Sequence, residues 1–239
     1  MVESALKLED LTKAYAGGFH LGPINLGIAP GHAVAILGKN GSGKSTLFQV
    51  ITGNQDATEG RVHVGDRVMH REAYELKRRV GYLPQHMDLP RWVTAGEILS
   101  YAAFLFGLSE IPQRVAEAAT LWDFTSYIRT PLANCSYGMQ KRVGLALATF
   151  HDPDILILDE PFSGLDLFHI RALEEAIARR KKAARVTILS THVVSYAARH
   201  CHEAYIIENG VVMPVASWAT LDFTQRIDAV ERLFFSAAR

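Results

Sequence analysis

The sequence predicts an α/β fold with a mainly parallel sheet, an N-terminal antiparallel β region and an inserted helical sub-lobe. Three observations support this prediction. Strand-like patterns dominate the first third of the chain, helical spacing of apolar residues runs from 94 to about 150, and strands alternate with helices after Asp152-Pro153. The 239 residues suffice for one large domain, or for one domain with a sub-lobe.

The first third of the chain predicts short strands separated by turns. The apolar run Ala33–Leu37 predicts a strand buried on both faces, and Pro30-Gly31 marks the turn before it. The other strands of this region show apolar alternation or short apolar runs. They are predicted at 5–8, 24–28, 61–64 and 80–83.

The remaining two thirds predict helices first and then an alternating α/β segment. Ile98, Leu99, Ala102 and Phe106 recur at helical spacing, which places a helix early in the sub-lobe. Later elements are predicted as strands at 155–158 and 186–189 and as helices at 166–182 and 220–239. We therefore expect one domain with a catalytic core (1–85 and 151–215), a helical sub-lobe (about 86–150) and a C-terminal helix (216–239).

Composition excludes several functional classes. Lys plus Arg and Asp plus Glu number 25 each, so no net field would attract a nucleic acid. The two cysteines, Cys135 and Cys201, provide no disulfide framework and suit a reducing compartment. No stretch approaches the roughly 20 apolar residues of a membrane-spanning helix, and no secretory signal is recognisable. We expect a cytoplasmic protein whose membrane role, if any, depends on a partner.

The most informative motif follows the buried strand at 33–37. Residues 38–46 match G-x-x-x-x-G-K-[ST] at every fixed position and lead into the apolar start of a helix. Strand, glycine-rich loop and helix are the context in which this motif binds phosphate. The motif consists of Gly38, Lys39, Asn40, Gly41, Ser42, Gly43, Lys44, Ser45 and Thr46.

The chemistry of this loop predicts a bound nucleoside triphosphate and a P-loop NTPase core. Glycines allow successive backbone N–H groups to converge at a helix N-terminus, which carries a partial positive charge. Lys44 adds a full charge for the β- and γ-phosphates, and the Ser45 hydroxyl can bind Mg²⁺. The alternative, a glycine-rich turn with an incidental lysine, does not account for the flanking elements.

Two acidic residues end the predicted strand at 155–158. The carboxyl end of a buried strand is where an α/β sheet presents its ligands. Asp159 is therefore placed to hold Mg²⁺, directly or through water, and Glu160 to activate the water that attacks the γ-phosphate. A solvated acidic turn is the alternative explanation for the same pair.

Two further segments give the chain a specific resemblance. Cys-Ser-Tyr-Gly-Met-Gln-Lys-Arg at 135–142 resembles the LSGGQ signature, and Ser-Gly-Leu-Asp stands at 163–166. With the loop and acidic pair, in this order, the chain resembles the ATPase subunit of an ATP-binding cassette (ABC) transporter from Leu6 to about Met213. The resemblance implies an ATP- and Mg²⁺-dependent ATPase of P-loop fold.

The resemblance also implies roles for residues that would carry little meaning alone. Tyr15 would stack on adenine, Gln85 would contact Mg²⁺ and link the core to the sub-lobe, and His192 would touch the γ-phosphate and orient Glu160. Asp166 belongs to a loop that crosses to a second subunit.

The signature implies a shared site between two subunits. Ser136 and Gly138 would contact the γ-phosphate of ATP held by the opposite copy, so the expected partners are a second cassette subunit and an integral membrane permease. That permease would hold the chain at the inner face of the membrane. Two positions depart from the signature, because Cys135 replaces leucine and Tyr137 replaces the first glycine.

The direction of transport and the class of function leave alternatives open. Met139 in the Ser-x-Gly-Met form resembles exporter-type subunits, which predicts an exporter. A non-transport ABC ATPase and a regulatory module that binds ATP as a switch are the alternatives. Intact Lys44, Asp159, Glu160 and His192 argue against the second, whereas the bulky Tyr137 keeps it open.

Overall fold

The main sheet is built around the fully buried strand β3 (Ala33–Leu37). The computed structural model describes residues 4–236. In spatial order, the six strands are β10 (Val211–Pro214), β9 (Glu203–Glu208), β3, β8 (Val186–Thr191), β7 (Ile155–Leu158) and β6 (Val80–Leu83). All neighbouring pairs are parallel except β9 and β10, which are antiparallel. This mainly parallel sheet confirms the predicted fold class.

A second, four-stranded sheet forms the N-terminal antiparallel region. Its strands are, in spatial order, β2 (His20–Ile28), β1 (Leu6–Ala14), β4 (Glu59–Val64) and β5 (Arg67–Val68). β1 and β2 extend well beyond the segments predicted for them, and most of their buried positions alternate with exposed ones, although Leu11 and Thr12 of β1 are both buried. This alternation suits an antiparallel sheet with one solvated face.

Two of the α-helices begin at well-formed capping boxes. The helices are α1 (Lys44–Ile51), α2 (Tyr74–Lys77), α3 (Ala95–Leu105), α4 (Ile111–Leu121), α5 (Tyr137–Thr149), α6 (Leu167–Lys182), α7 (Val194–His200) and α8 (Phe223–Ser236). Thr94 caps α3 by accepting from the Glu97 N–H, and Ser136 caps α5 by accepting from the Met139 N–H. Such caps satisfy N–H groups that lack a partner within the helix.

Two hydrophobic clusters cover the opposite faces of the main sheet. Alternate residues of β3 belong to different clusters, with Val34 and Ile36 on one side and Ala35 and Leu37 on the other. The first pair packs with the antiparallel sheet and α1, whereas the second packs with residues of α3, α4 and α5. The helices between 95 and 149 therefore share a core with the strands.

The C-terminal third differs in detail from the predicted elements. Asp222 accepts a hydrogen bond from the Gln225 N–H, so the final helix begins at Phe223 rather than near Thr220. Residues 237–239 of the predicted helix lie outside the described residues. The sequence analysis did not predict β5, β9, β10, α2 or α7, which are short or carry polar ends. Between residues 4 and 236, no helix is both long and apolar enough to cross a membrane.

His151, just after α5, packs against two aromatic rings. Its ring stacks on Phe106 with centroids 4.1 Å apart, and Phe150 approaches it edge-on at 5.5 Å. Both ring nitrogens are shielded from solvent. Burial lowers the pKa of His151 to about 4, so the folded protein holds this ring neutral near pH 7.

Stability should fall between about pH 6.5 and pH 4 because the unfolded chain binds a proton that folded His151 resists. Replacing this residue by phenylalanine (His151→Phe) should remove about 2–3 kcal/mol of that pH dependence. Denaturant unfolding at pH 4.5, 5.5 and 7 measures it. His70, whose side chain is 57% exposed, provides the control variant His70→Phe. Equal pH slopes for wild type and His151→Phe would contradict the prediction.

Candidate nucleotide-binding site

The loop at 38–43 leaves the carboxyl end of β3 and enters α1 with tight backbone packing. A Cβ atom at Gly38 would lie 2.5 Å from the carbonyl oxygen of Ile207, so any larger residue would displace backbone. Gly43 has a φ of +113° directly before α1, a conformation that favours glycine. These two glycines bring the loop against the sheet and turn its N–H groups toward the start of the helix.

Lys44 is buried and directed back over the loop. Its Nζ donates to the carbonyl oxygens of Gly38 and Lys39 at 2.8 and 3.0 Å. Burial lowers the pKa of Lys44, while the nearby charges of Asp159 and Glu160 act in the opposite direction. The ammonium is thus pre-positioned in the loop, and phosphate oxygens would supply the counter-charge that two carbonyls only partly provide.

A cavity of about 440 Å³ opens beside this loop. Its lining combines predicted loop residues with two side chains that the sequence analysis missed, Phe19 and His86. The lining residues are Phe19, Asn40, Gly41, Gly43, Lys44, Ser45, Thr46, Gln85 and His86. Phe19 offers an aromatic face to this cavity, and only its contact with the distant loop reveals that role.

Ser45 and Asp159 are hydrogen-bonded to each other at the N-terminus of α1. The Ser45 hydroxyl donates to Asp159 Oδ2 at 2.6 Å, although the two residues are 114 positions apart. A hydroxyl and a carboxylate that converge here are hard oxygen ligands of the kind that Mg²⁺ prefers. Gln85, two residues after β6, lines the same cavity, and its amide oxygen is a further candidate ligand. The residues present therefore fit Mg²⁺.

Ser190 on β8 connects the two acidic residues and was missed by the sequence analysis. Its hydroxyl donates to Asp159 Oδ1 at 2.5 Å and accepts from the Glu160 N–H at 2.8 Å. Glu160 has a φ of +47°, a left-handed conformation that non-glycine residues rarely adopt. Only the parallel pairing of β7 with β8 reveals that Ser190 lies opposite this turn.

Glu160 and His192 form a polar pair. Glu160 is 5% exposed, and its Oε2 lies 2.9 Å from His192 Nδ1. The His192 side chain is 69% exposed and comes from the turn after β8. The second carboxylate oxygen, Oε1, is shielded from solvent and has no hydrogen-bond partner among residues 4–236. One oxygen of Glu160 is thus oriented by histidine, while the other is buried and has no hydrogen-bond partner within the described residues.

Tyr15 lies next to the cavity rather than in its lining. Its hydroxyl donates to Gln55 Oε1 at 2.5 Å, and its ring centroid is 6.2 Å from that of Phe19. The ring is 38% exposed, with Lys13 Nζ 5.4 Å from its centroid. Tyr15 and Phe19 together form an aromatic edge beside the loop.

The other predicted residues lie apart from this lining. Ser136 and Tyr137 are exposed at the start of α5, with Gly138 half-buried beside them. Asp166 caps α6 by accepting from the His169 N–H at 3.0 Å and approaches His169 Nδ1 at 2.7 Å. Among the described residues that line the cavity, none comes from 136–138 or 163–166.

Comparison with known proteins identifies the family. A family model described as ABC transporter matches residues 21–163. The chain is 29% identical over 216 residues to the ABC transporter ATP-binding protein NatA of Bacillus subtilis (strain 168), covering 89% of this chain and 88% of that relative. It is 31% identical over 208 residues to the Nod factor export ATP-binding protein I of Sinorhizobium fredii (strain NBRC 101917 / NGR234), covering 86% and 61%.

A solved structure agrees with these relatives. The structure of cbiO1 from Clostridium perfringens, described as part of the ABC transporter complex cbiONQ, matches with a TM-score of 0.73 and 29% identity over 88% of this chain and 87% of that one. The family resemblance inferred from the signature segments is confirmed, and with it the α/β cassette fold. The chain belongs to the ABC transporter ATP-binding family and is an ABC ATPase.

Proposed function

We propose that this chain is the ATPase subunit of an ABC transporter, hydrolysing ATP to drive a separate membrane permease. The observation that carries the hydrolytic role is the Glu160–His192 pair. Its 2.9 Å contact orients a buried carboxylate whose other oxygen has no partner within residues 4–236, and that oxygen would accept a proton from a water admitted together with ATP. This arrangement lies at the same sheet edge as Lys44 and the phosphate loop.

Charge stabilisation would come from the loop. Lys44 and the N–H groups at the start of α1 would bind the β- and γ-phosphates and stabilise charge that develops on them. Ser45, Asp159 and Gln85 would hold Mg²⁺, which when bound screens the phosphate oxygens from one another. The hydrogen bonds of Asp159 with Ser45 and Ser190 fix the orientation of its carboxylate, which supports this role.

We infer that the complete site requires a second copy of the chain or a paired cassette subunit. The turn formed by Ser136, Tyr137 and Gly138 stands at the N-terminus of α5 yet does not line the chain's own cavity. A helix N-terminus is suited to an anion, and the γ-phosphate of ATP bound to the opposite subunit would supply one. ATP would then be the ligand that favours the closed dimer.

The permease would place the chain at the cytoplasmic face of a membrane. The groove near Gln85, with the partly exposed loop from Met87 to Trp92, is the proposed contact surface. A structural relative is part of a transporter complex, and a sequence relative is named for export. Together with the Ser-x-Gly-Met form of the signature, the export relative favours an exporter.

Removing the proposed base should separate binding from hydrolysis. We expect Glu160→Gln to lose at least about 100-fold in kcat while forming an ATP-dependent dimer, because the γ-phosphate that holds the dimer would persist. Lys44→Ala should lose ATP binding, since it removes the loop's full charge. Phosphate release and size-exclusion chromatography with light scattering, with and without ATP, measure these outcomes.

These measurements, together with purification of the tagged chain from detergent-solubilised host membranes, distinguish the alternatives. Full turnover by Glu160→Gln would refute the catalytic assignment. Wild-type chain that binds ATP but does not hydrolyse it would instead favour the regulatory switch. A non-transport ABC ATPase would hydrolyse ATP, but no integral membrane protein would be recovered with it during purification.

Ser190→Ala should lower kcat by about 10- to 100-fold, because it releases both the Glu160 N–H and Asp159. The control is Ser100→Ala, which removes another serine hydroxyl bond, to the Gly96 carbonyl within α3. Steady-state ATPase assays corrected for bound nucleotide compare the two variants. Equal kcat for Ser190→Ala and Ser100→Ala would contradict the role of Ser190.

The permease contact predicts a role for Trp92, which is 81% exposed. Trp92→Ala should strongly reduce recovery of an integral membrane protein when the tagged chain is purified from detergent-solubilised host membranes, because it removes a large apolar contact. Tyr74, which is 68% exposed on α2, gives the control variant Tyr74→Ala. Recovery that Trp92→Ala leaves unchanged would place the contact elsewhere.

A further inference from the structure

Hydrogen bonds hold both the backbone N–H and the backbone carbonyl of Glu160. Its N–H donates to Ser190, as described above, and its carbonyl oxygen accepts from Lys141 Nζ at 2.9 Å. The Ser163 N–H also approaches this carbonyl, at 3.3 Å. A left-handed residue of this kind keeps its conformation only when its surroundings fix it. Among residues 4–236, Lys141 is the one cationic side chain that donates to this carbonyl.

Lys141 is an unusual residue for its position. It lies on α5 and is 0% exposed, and burial lowers its pKa to about 8 while Asp159 and Glu160 oppose that shift. Burying a lysine is costly unless its charge is compensated, and an apolar residue would fill the same space without that cost. A function of the ammonium at Glu160 would explain why a lysine is buried here despite the cost of burying its charge.

The same helix also contacts the other loops of the site. The Tyr137 hydroxyl donates to the Gln85 carbonyl at 3.1 Å, and its ring centroid lies 5.9 Å from Lys141 Nζ. A Cβ atom at Gly164 would lie 2.7 Å from the Tyr137 ring, so the ring packs directly on that loop. The residue that departs most from the signature therefore joins α5 to the loops at 85 and 163–166.

We propose that Lys141 is a positioning residue that fixes the backbone of Glu160 and connects it, through α5, to the signature turn of the same chain. The connection along α5 is short, because Lys141 follows Ser136, Tyr137 and Gly138 by about one helical turn. Tyr137 braces this connection against the Gln85 loop.

The consequence rests on the proposed function. If the signature turn binds the γ-phosphate of ATP in the opposite subunit, α5 contacts that ATP at its N-terminus. Through Lys141, the same helix also holds Glu160, the base of the chain's own site. Occupancy of one site would then favour the catalytic geometry of the other. Tyr137 would strengthen this link rather than impair the signature.

Lys141→Met tests the positioning role, because methionine keeps the length and packing of the side chain but removes the donor. We expect kcat to fall by about 10- to 100-fold with KM for ATP changed less than about threefold, since the phosphate loop is untouched. The control is Lys181→Met. Lys181 also donates to a backbone carbonyl, that of His200 at 3.2 Å, but on α6. Its kcat should stay near that of wild type.

A double variant separates positioning from a general structural role. Once Glu160→Gln has removed the base, Lys141→Met should have little left to disturb, so Lys141→Met/Glu160→Gln should match Glu160→Gln alone in residual turnover. Active sites are counted by bound nucleotide, so that unfolded protein does not enter kcat. If Lys141→Met does not bind nucleotide, Lys141→Leu, which also lacks a donor, is held to the same criteria.

The outcomes distinguish this inference from the function on which it rests. A kcat for Lys141→Met within about threefold of wild type, or a further tenfold loss in the double variant, would overturn the role of Lys141 alone. Full turnover of Glu160→Gln would instead refute the catalytic assignment of Glu160 on which this inference rests. The first result leaves the catalytic assignment of Glu160 intact.

Discussion

The parallel alignment of β3, β8 and β7 is the constraint on which the site depends. Leu37 pairs with Thr191, and Leu158 pairs with Leu189, so these three strands end at one edge of the sheet. Their continuations are the phosphate loop, the turn that carries His192 and the acidic pair. Three segments that are more than 100 residues apart at their extremes become neighbours because parallel strands present their carboxyl ends together.

The turn after β7 concentrates the strain and the polar contacts of this edge. Glu160 adopts a left-handed conformation that costs about 1 to 3 kcal/mol in a non-glycine residue. Hydrogen bonds to its N–H and carbonyl oxygen, together with the contact to His192, offset that cost. The turn directs the two consecutive acidic side chains to different partners, Asp159 to Ser45 and Glu160 to His192.

The sequence predicted the phosphate loop, the acidic pair and the fold class because these depend on local patterns. An apolar run, a glycine-rich spacing and a helix start are all contiguous. Ser190, Phe19 and Lys141 were not predicted, because each is an ordinary residue whose importance depends on a contact with a distant segment. Short strands such as β9 were missed for a related reason: their pairing with β3, rather than their own composition, makes them strands.

By itself, the sequence determined that the chain holds a triphosphate and belongs among the cassette ATPases, since fixed motif residues carry that chemistry. Only the tertiary structure decided how the acidic pair is oriented, which cation supports Glu160 and how Tyr137 fits a signature that usually has glycine there. The physical reason is that hydrogen bonds are short and directional. Strand register and helix packing bring those partners within reach, and no spacing in the sequence encodes such distances.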